Sequence, residues 1–139
     1  MKKLIAAASL AGFCLIAPLA SAQEAEAVAK AKEAAQTWLG LVDAGKYGES
    51  WDTASSLFKS AVTKASWEAA AKAVRGPLGA LKSRKLRSAT FTRQLPGAPE
   101  GEYVVIQYDA EFAARPAVET ITPMRDKDGS WRISGYYVR

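Results

Sequence analysis

Apolar residues in the first half of the chain return every three to four positions, whereas in the second half they alternate with polar ones. From Glu24 to Ala44 the residues Val28, Ala31, Ala35, Trp38, Leu39 and Val42 form one stripe in a background of Ala, Glu and Lys. That pattern predicts an amphipathic helix, and Gly45 is placed to end it in a left-handed conformation. A second helix is expected over Lys46–Phe58, with Tyr47, Trp51, Ala54 and Phe58 on one face. A third should start at Ser66 as N-cap, carry Trp67, Ala70, Ala71 and Val74, and end near Gly76-Pro77. Arg75-Gly76-Pro77-Leu78-Gly79 then reads as a stiff turn with a charge at its entrance.

Strand character follows. Lys85–Leu95 mixes β-formers with charges and is followed by a dense turn signal, Leu95-Pro96-Gly97-Ala98-Pro99-Glu100-Gly101. In Glu102–Ala113, Val104, Ile106, Tyr108, Ala110 and Phe112 face one way, and Gln107, Asp109 and Glu111 the other. Ala117–Arg125 is a third strand, pushed toward an edge or a bulge by Pro123. Asp126-Lys127-Asp128-Gly129 makes a hairpin turn, and Ser130–Val138 closes the set with Trp131, Ile133 and Tyr137 on its apolar face. Helices followed by a meander predict an α+β fold: three N-terminal helices packed on a curved, four-stranded antiparallel sheet.

The N terminus changes the picture of where this domain works. Met1-Lys2-Lys3 precedes an apolar run, and Ala20-Ser21-Ala22 supplies small residues at the positions a signal peptidase reads. Cleavage is expected after Ala22, so that 1–22 is a signal peptide and 23–139 a single domain, periplasmic or secreted, without a transmembrane anchor. Cys14, preceded by Ala11-Gly12-Phe13, lacks the surroundings of a lipid-attachment site. Its removal leaves a chain that can form no disulfide.

Composition narrows the chemistry. The sequence contains no His and no Asn, and Cys14 is its one cysteine. These absences remove histidine-based triads, His metal ligands, thiol nucleophiles and N-glycosylation acceptors, and neither a metal nor another cofactor is expected. Losing Lys2 and Lys3 lowers the formal net charge of +5 by two, too little for a dedicated nucleic-acid binder. Charge is nonetheless segregated. Between Glu68 and Glu100 there is no acid but Lys72, Arg75, Lys82, Arg84, Lys85, Arg87 and Arg93, whereas Glu100, Glu102, Asp109, Glu111 and Glu119 face Arg115 alone. Two readings follow: a basic patch for an anionic surface, or a basic and an acidic strand paired across the sheet. The second is favoured.

The steps Trp38-Leu39, Asp43-x-Gly45-x-Tyr47, Trp51 with Ala54 and Phe58, Trp67, and Arg75-x-Pro77-Leu78-Gly79 carry a resemblance. So do Gly101-Glu102-Tyr103-Val104-Val105 and the ending Gly129-x-Trp131-Arg132-Ile133-x-Gly135-Tyr136-Tyr137-x-Arg139. Together they resemble an exported bacterial domain-of-unknown-function family, number four-zero-one-nine. That likeness implies export and no assigned chemistry. A second likeness is to cone-shaped folds related to nuclear transport factor two. It implies a sheet and helices around a pocket, used by some members for ligand binding or acid–base chemistry and by others for association. This chain departs from the enzymes among them in having no His.

Trp51, Arg75, Tyr108 and Tyr137 are the candidate ligand-binding residues, and no residue is assigned a catalytic role. Arg75 has a fork of donors suited to an anionic ligand, or to a carboxylate such as Asp52 that would lock helix to turn. Trp38, Trp51, Trp67 and Trp131 suit a core better than an aromatic pocket. Asp109 and Glu111 lie on one strand side, about 7 Å apart. That is a spacing glycoside hydrolysis could use, but it is also ordinary for a wet strand face. The residues favour a non-enzymatic binding or interaction module for an unknown small molecule or envelope protein, with homodimerisation open. The alternatives are a small hydrolase or isomerase using Asp, Tyr and Arg in a cone pocket, and a weak binder of anionic envelope surface.

Overall fold

The computed structural model describes residues 19–139, so most of the expected signal peptide, Cys14 included, lies outside the described residues. The first helix, α1, runs Leu19–Asp43 and buries Ala31, Ala35, Trp38, Leu39 and Val42, five of the six residues of the expected stripe, together with Ala27. Gly45, at φ +74°, lets the chain reverse; its N–H donates to Val42 O and that of Lys46 to Leu41 O, which satisfies two carbonyls of the last turn.

Where one helix was expected over Lys46–Phe58 there are two, α2 (Tyr47–Thr53) and α3 (Ser56–Ala61). The break falls at Ala54-Ser55, both extended and fully buried. Ser55 explains it: its backbone N–H donates to Ile133 O (2.9 Å) and its Oγ accepts from Phe58 N (3.1 Å), so it caps α3 while holding it to the last strand. The next helix, α4, spans Lys64–Leu78. Its N-cap is Thr63, whose Oγ1 accepts from the N–H of Ser66, the residue expected to cap it. At its other end Pro77 is accommodated in the last turn, where one missing N–H loses a single bond, and Gly79 at φ +74° is the stop. Arg75 thus lies in the last turn of a helix and not in a free turn.

The strands are β1 (Leu81–Thr92), β2 (Tyr103–Phe112), β3 (Pro116–Arg125) and β4 (Trp131–Val138), ordered β1-β2-β3-β4 in one open antiparallel sheet. The fold is α+β, with four helices preceding the sheet. In β2 the alternation holds: Val104, Ile106, Tyr108, Ala110 and Phe112 are buried, Asp109 and Glu111 exposed. Pro123 does mark a bulge, but β3 is an inner strand. Opposite Thr122–Pro123, β4 carries one extra residue, Ser134. That insertion reverses the side-chain parity, so Tyr136 joins Ile133 on the inner face and Tyr137, expected there, is half exposed. The basic strand β1 pairs with the acidic strand β2, Lys85 opposite Asp109 and Ser83 opposite Glu111, as the favoured charge reading requires.

The core joins α1, α2, α3, α4 and the inner sheet face through Trp38, Leu39, Val42, Phe58, Trp67, Val104, Ile106, Ile121 and Ile133. Ser50, fully buried on α2, anchors two tryptophans: its carbonyl accepts from Trp38 Nε1 (2.8 Å) and its Oγ from Trp67 Nε1 (2.9 Å). Trp51 and Trp131 pack against this core as half-buried neighbours.

Ser55→Ala removes the acceptor for Phe58 N–H at a buried cap, and should lower stability by about 1 kcal/mol. Urea unfolding checks this: the midpoint should drop with the slope unchanged.

Candidate functional site

Ionisable and phenolic groups from α1, α4 and all four strands meet between the helices and the inner sheet face. Parity places them there. Arg84 stands opposite Ala110, an inward residue, and Glu119 stands opposite Tyr108, also inward. Asp43 is the last residue of α1 and Arg75 lies in the last turn of α4, and the bond between them brings the two helix ends together.

Arg84 is bonded along two edges of its guanidinium. Nη1 and Nη2 donate to Asp43 Oδ2 and Oδ1 (2.8 and 2.9 Å), while Nε and Nη2 donate to Glu119 Oε1 and Oε2 (2.6 and 3.0 Å). Arg75 Nη2 donates to Asp43 Oδ1 (2.8 Å), and its guanidinium lies over the Phe112 ring, 4.8 Å from the centroid. Tyr136 Oη donates to Glu119 Oε2 (2.5 Å), and its ring meets Trp38 edge-on at 5.3 Å. Two carboxylates and two guanidiniums balance within one cluster. Glu119 is fully buried and the Arg75 side chain is 4% exposed.

The electrostatics follow from that burial. Desolvation alone would raise the pKa of Asp43, but the hydrogen bonds and charges of Arg84 and Arg75 outweigh it and hold it below its ordinary value. Desolvation works against the charge of Arg84 as well, and its bonds to Asp43 and Glu119 reverse the balance, leaving it more firmly protonated than a free guanidinium. Burial pushes the Tyr136 hydroxyl far up, and the charge and hydrogen bond of Glu119 add to this. Tyr108 is raised by burial, which Arg84 opposes more strongly than Glu119 reinforces it. Both phenols therefore stay protonated, Tyr136 as a donor. Every carboxylate oxygen of the cluster accepts at least one bond, so the arrangement holds charge in place and leaves no carboxylate free as a base. Tyr108 Oη and Arg75 Nε and Nη1 are the buried polar atoms without a partner among the described residues.

Of the residues singled out by sequence, Arg75 and Tyr108 belong to this region, the Arg84 guanidinium lying 6.0 Å from the Tyr108 ring centroid. Trp51 and Tyr137 lie outside it. Trp51 Nε1 donates to Val62 O, and Lys59 Nζ stands 5.8 Å over its ring. Tyr137 is on the outer sheet face, with the Arg139 guanidinium 5.3 Å from its ring. The partner of Arg75 is Asp43 and not Asp52, which instead pairs with Lys64 (2.9 Å). Asp109 and Glu111 are exposed, and Arg87 Nε approaches Asp109 at 3.7 Å. Sequence reasoning missed Asp43, Arg84, Glu119 and Tyr136. A signal for Glu119 was present, since it shares alternate positions with Ala117, Ile121 and Pro123 in a strand otherwise buried on that side. Two grooves lie away from the cluster: one of about 570 Å³ between α3 and the β3–β4 turn, and one of about 440 Å³ lined by Asp109, Glu111, Pro116, Val118 and Arg139. Among the described residues no cluster of three or more carboxylates could hold a metal ion, and no helix is long and apolar enough to cross a membrane.

Arg84→Met leaves the Glu119 carboxylate buried without its cation and should lower stability by about 3–5 kcal/mol. Arg84→Lys should not restore the loss, because an ammonium cannot bond along two planar edges. Combining Arg84→Met with Glu119→Gln should recover part of it in the same urea titration. Asp43 adds a pH dependence. Its folded pKa lies below 3.8, so on acidification the unfolded chain takes up a proton before the folded one does. Its contribution is complete above the unfolded value and is lost as pH falls through the folded value. Unfolding free energy measured from about pH 5 to about pH 2 should therefore fall, and Asp43→Asn should flatten that slope.

No curated protein and no solved structure matches this chain. A family model described as "Protein of unknown function (DUF4019)" matches residues 34–136, a span that takes in Asp43, Arg75, Arg84, Tyr108, Glu119 and Tyr136. The chain belongs to the DUF4019 family of proteins of unknown function.

Proposed function

We propose that this chain is an exported, non-enzymatic binding or interaction module, released by cleavage after Ala22 and acting in the periplasm or outside the cell. The observation that carries this reading is that every carboxylate oxygen of the interior cluster is already bonded. Asp43, Arg84, Glu119 and Tyr136 spend their bonds within the cluster, Arg75 adds one bond to Asp43, and together they tie α1 and α4 to the sheet. An active site needs a base or a nucleophile held ready for substrate; here the carboxylates that could serve are locked into a scaffold. Contacts with a partner or ligand then fall to the exterior, where Tyr137 presents a half-exposed ring and Trp51 a half-buried one.

The hydrolase or isomerase reading draws on the same cluster, since Asp, Tyr and Arg do converge. It requires one of them to be released when substrate binds, and the unpartnered Tyr108 hydroxyl is its best candidate. The anionic-surface reading loses two of its cations, because Arg75 and Arg84 are consumed inside the fold.

Native mass spectrometry of the untagged protein from its own cell envelope tests the proposal. A chain starting at Gln23 with a reproducible heteromer or a bound small-molecule mass is expected. A bare chain, together with a turnover abolished by Tyr108→Phe, would replace it with the enzymatic reading. Binding to anionic vesicles that collapses with added salt would replace it with the surface reading.

A further inference from the structure

β1 uses the backbone hydrogen-bonding groups along one of its edges and leaves those along the other open. Strand order gives it β2 as its one neighbour. Among the described residues, no backbone group of Leu81–Thr92 bonds outside that ladder. The opposite edge strand is treated differently: Ser55 N–H of the α2–α3 junction donates to Ile133 O of β4. With 12 residues β1 is also the longest strand, and at about 3.3 Å per residue it offers an edge of roughly 40 Å.

The side chains along this edge have one sign. Lys82, Lys85 and Arg87 are exposed, as are Leu86 and Ser88 between and beside them. Arg87 has Asp109 as its nearest acid, at 3.7 Å and half exposed, a contact too loose to cancel it. The extra residues of the two β1 bulges are Lys82 and Arg87 themselves. Bulges and lysines on an edge are devices that keep identical strands apart, and a second copy laid against β1 would oppose cation to cation. An acidic strand meets no such barrier, and the same charges attract it.

We propose that the free edge of β1 is the docking site for an extended acidic segment of a partner protein, added as a fifth strand of the sheet. Backbone bonds supply the attachment, and Asp or Glu side chains at alternate positions of the segment set its register against Lys82, Lys85 and Arg87. An apolar residue between them covers Leu86, which is 43% exposed. This inference rests on the interaction-module reading and names the chemistry of its partner.

The test uses the isotope-labelled chain as the cell produces it and an end-blocked peptide of alternating Glu and Val. Amide shifts should change along β1 and its ladder with β2, and the outward N–H groups of β1 should gain protection from hydrogen exchange. Lys85→Gln with Arg87→Gln should weaken binding about tenfold. The same peptide N-methylated at alternate residues, with its charge intact but one hydrogen-bonding edge blocked, should not bind. Equal binding of the methylated peptide, shifts centred elsewhere, no shifts at millimolar peptide, or self-association of the chain through β1 would each overturn the docking site. If the peptide fails while the envelope-purified chain still carries a partner, the docking site alone falls; if both fail, the module reading falls with it.

Discussion

The Arg84 guanidinium joins two carboxylates that approach it from different layers, Asp43 from the end of α1 and Glu119 from β3. Taking that many charges out of water is expensive, and in a low-dielectric interior the cost is recovered when geometry and pairing are complete. Much of the architecture can be read as approaching that condition, with Arg75 Nε and Nη1 left over. Arg75 supplies a second cation to Asp43, Tyr136 a hydroxyl to Glu119, and Phe112 a ring face to Arg75. Such a network orients more than it stabilises: one set of positions of α1, α4 and the strands satisfies it, whereas apolar packing alone would tolerate several.

The apolar core and the polar cluster are not separate. Tyr136 belongs to both, its ring against Trp38 and its hydroxyl on Glu119, while Trp38 and Trp67 are pinned through Ser50. Five elements thus share a few side chains, which is how a small domain without disulfides among its described residues fixes helix orientation on a sheet.

The helical stripe of α1, the alternation of β2 and the turn before β4 could be read directly, because each is set by local periodicity or by a residue with restricted backbone freedom. The division of α2 from α3 could not, since Ser55 ends a helix partly through its bond to Ile133, a partner far along the chain. The same holds for Tyr136 and Tyr137: a single inserted residue, Ser134, exchanges their faces, and period-two counting has no means of sensing a bulge. Arg84 was hidden for a similar reason. In a run of seven basic residues nothing local marks which ones turn inward; that depends on the register with β2 and on the bulges at Lys82 and Arg87.

The cluster also has an order in time. A chain that emerges N terminus first delivers Asp43, Arg75 and Arg84 well before Glu119 and Tyr136. Until β3 and β4 arrive, two arginines share one carboxylate, and closing the interior would bury an unmatched cation. A chain that stops short of Glu119 would therefore be penalised at its centre and not at its frayed end. The interior charge balance thus makes closure of the fold depend on residues from both halves of the chain.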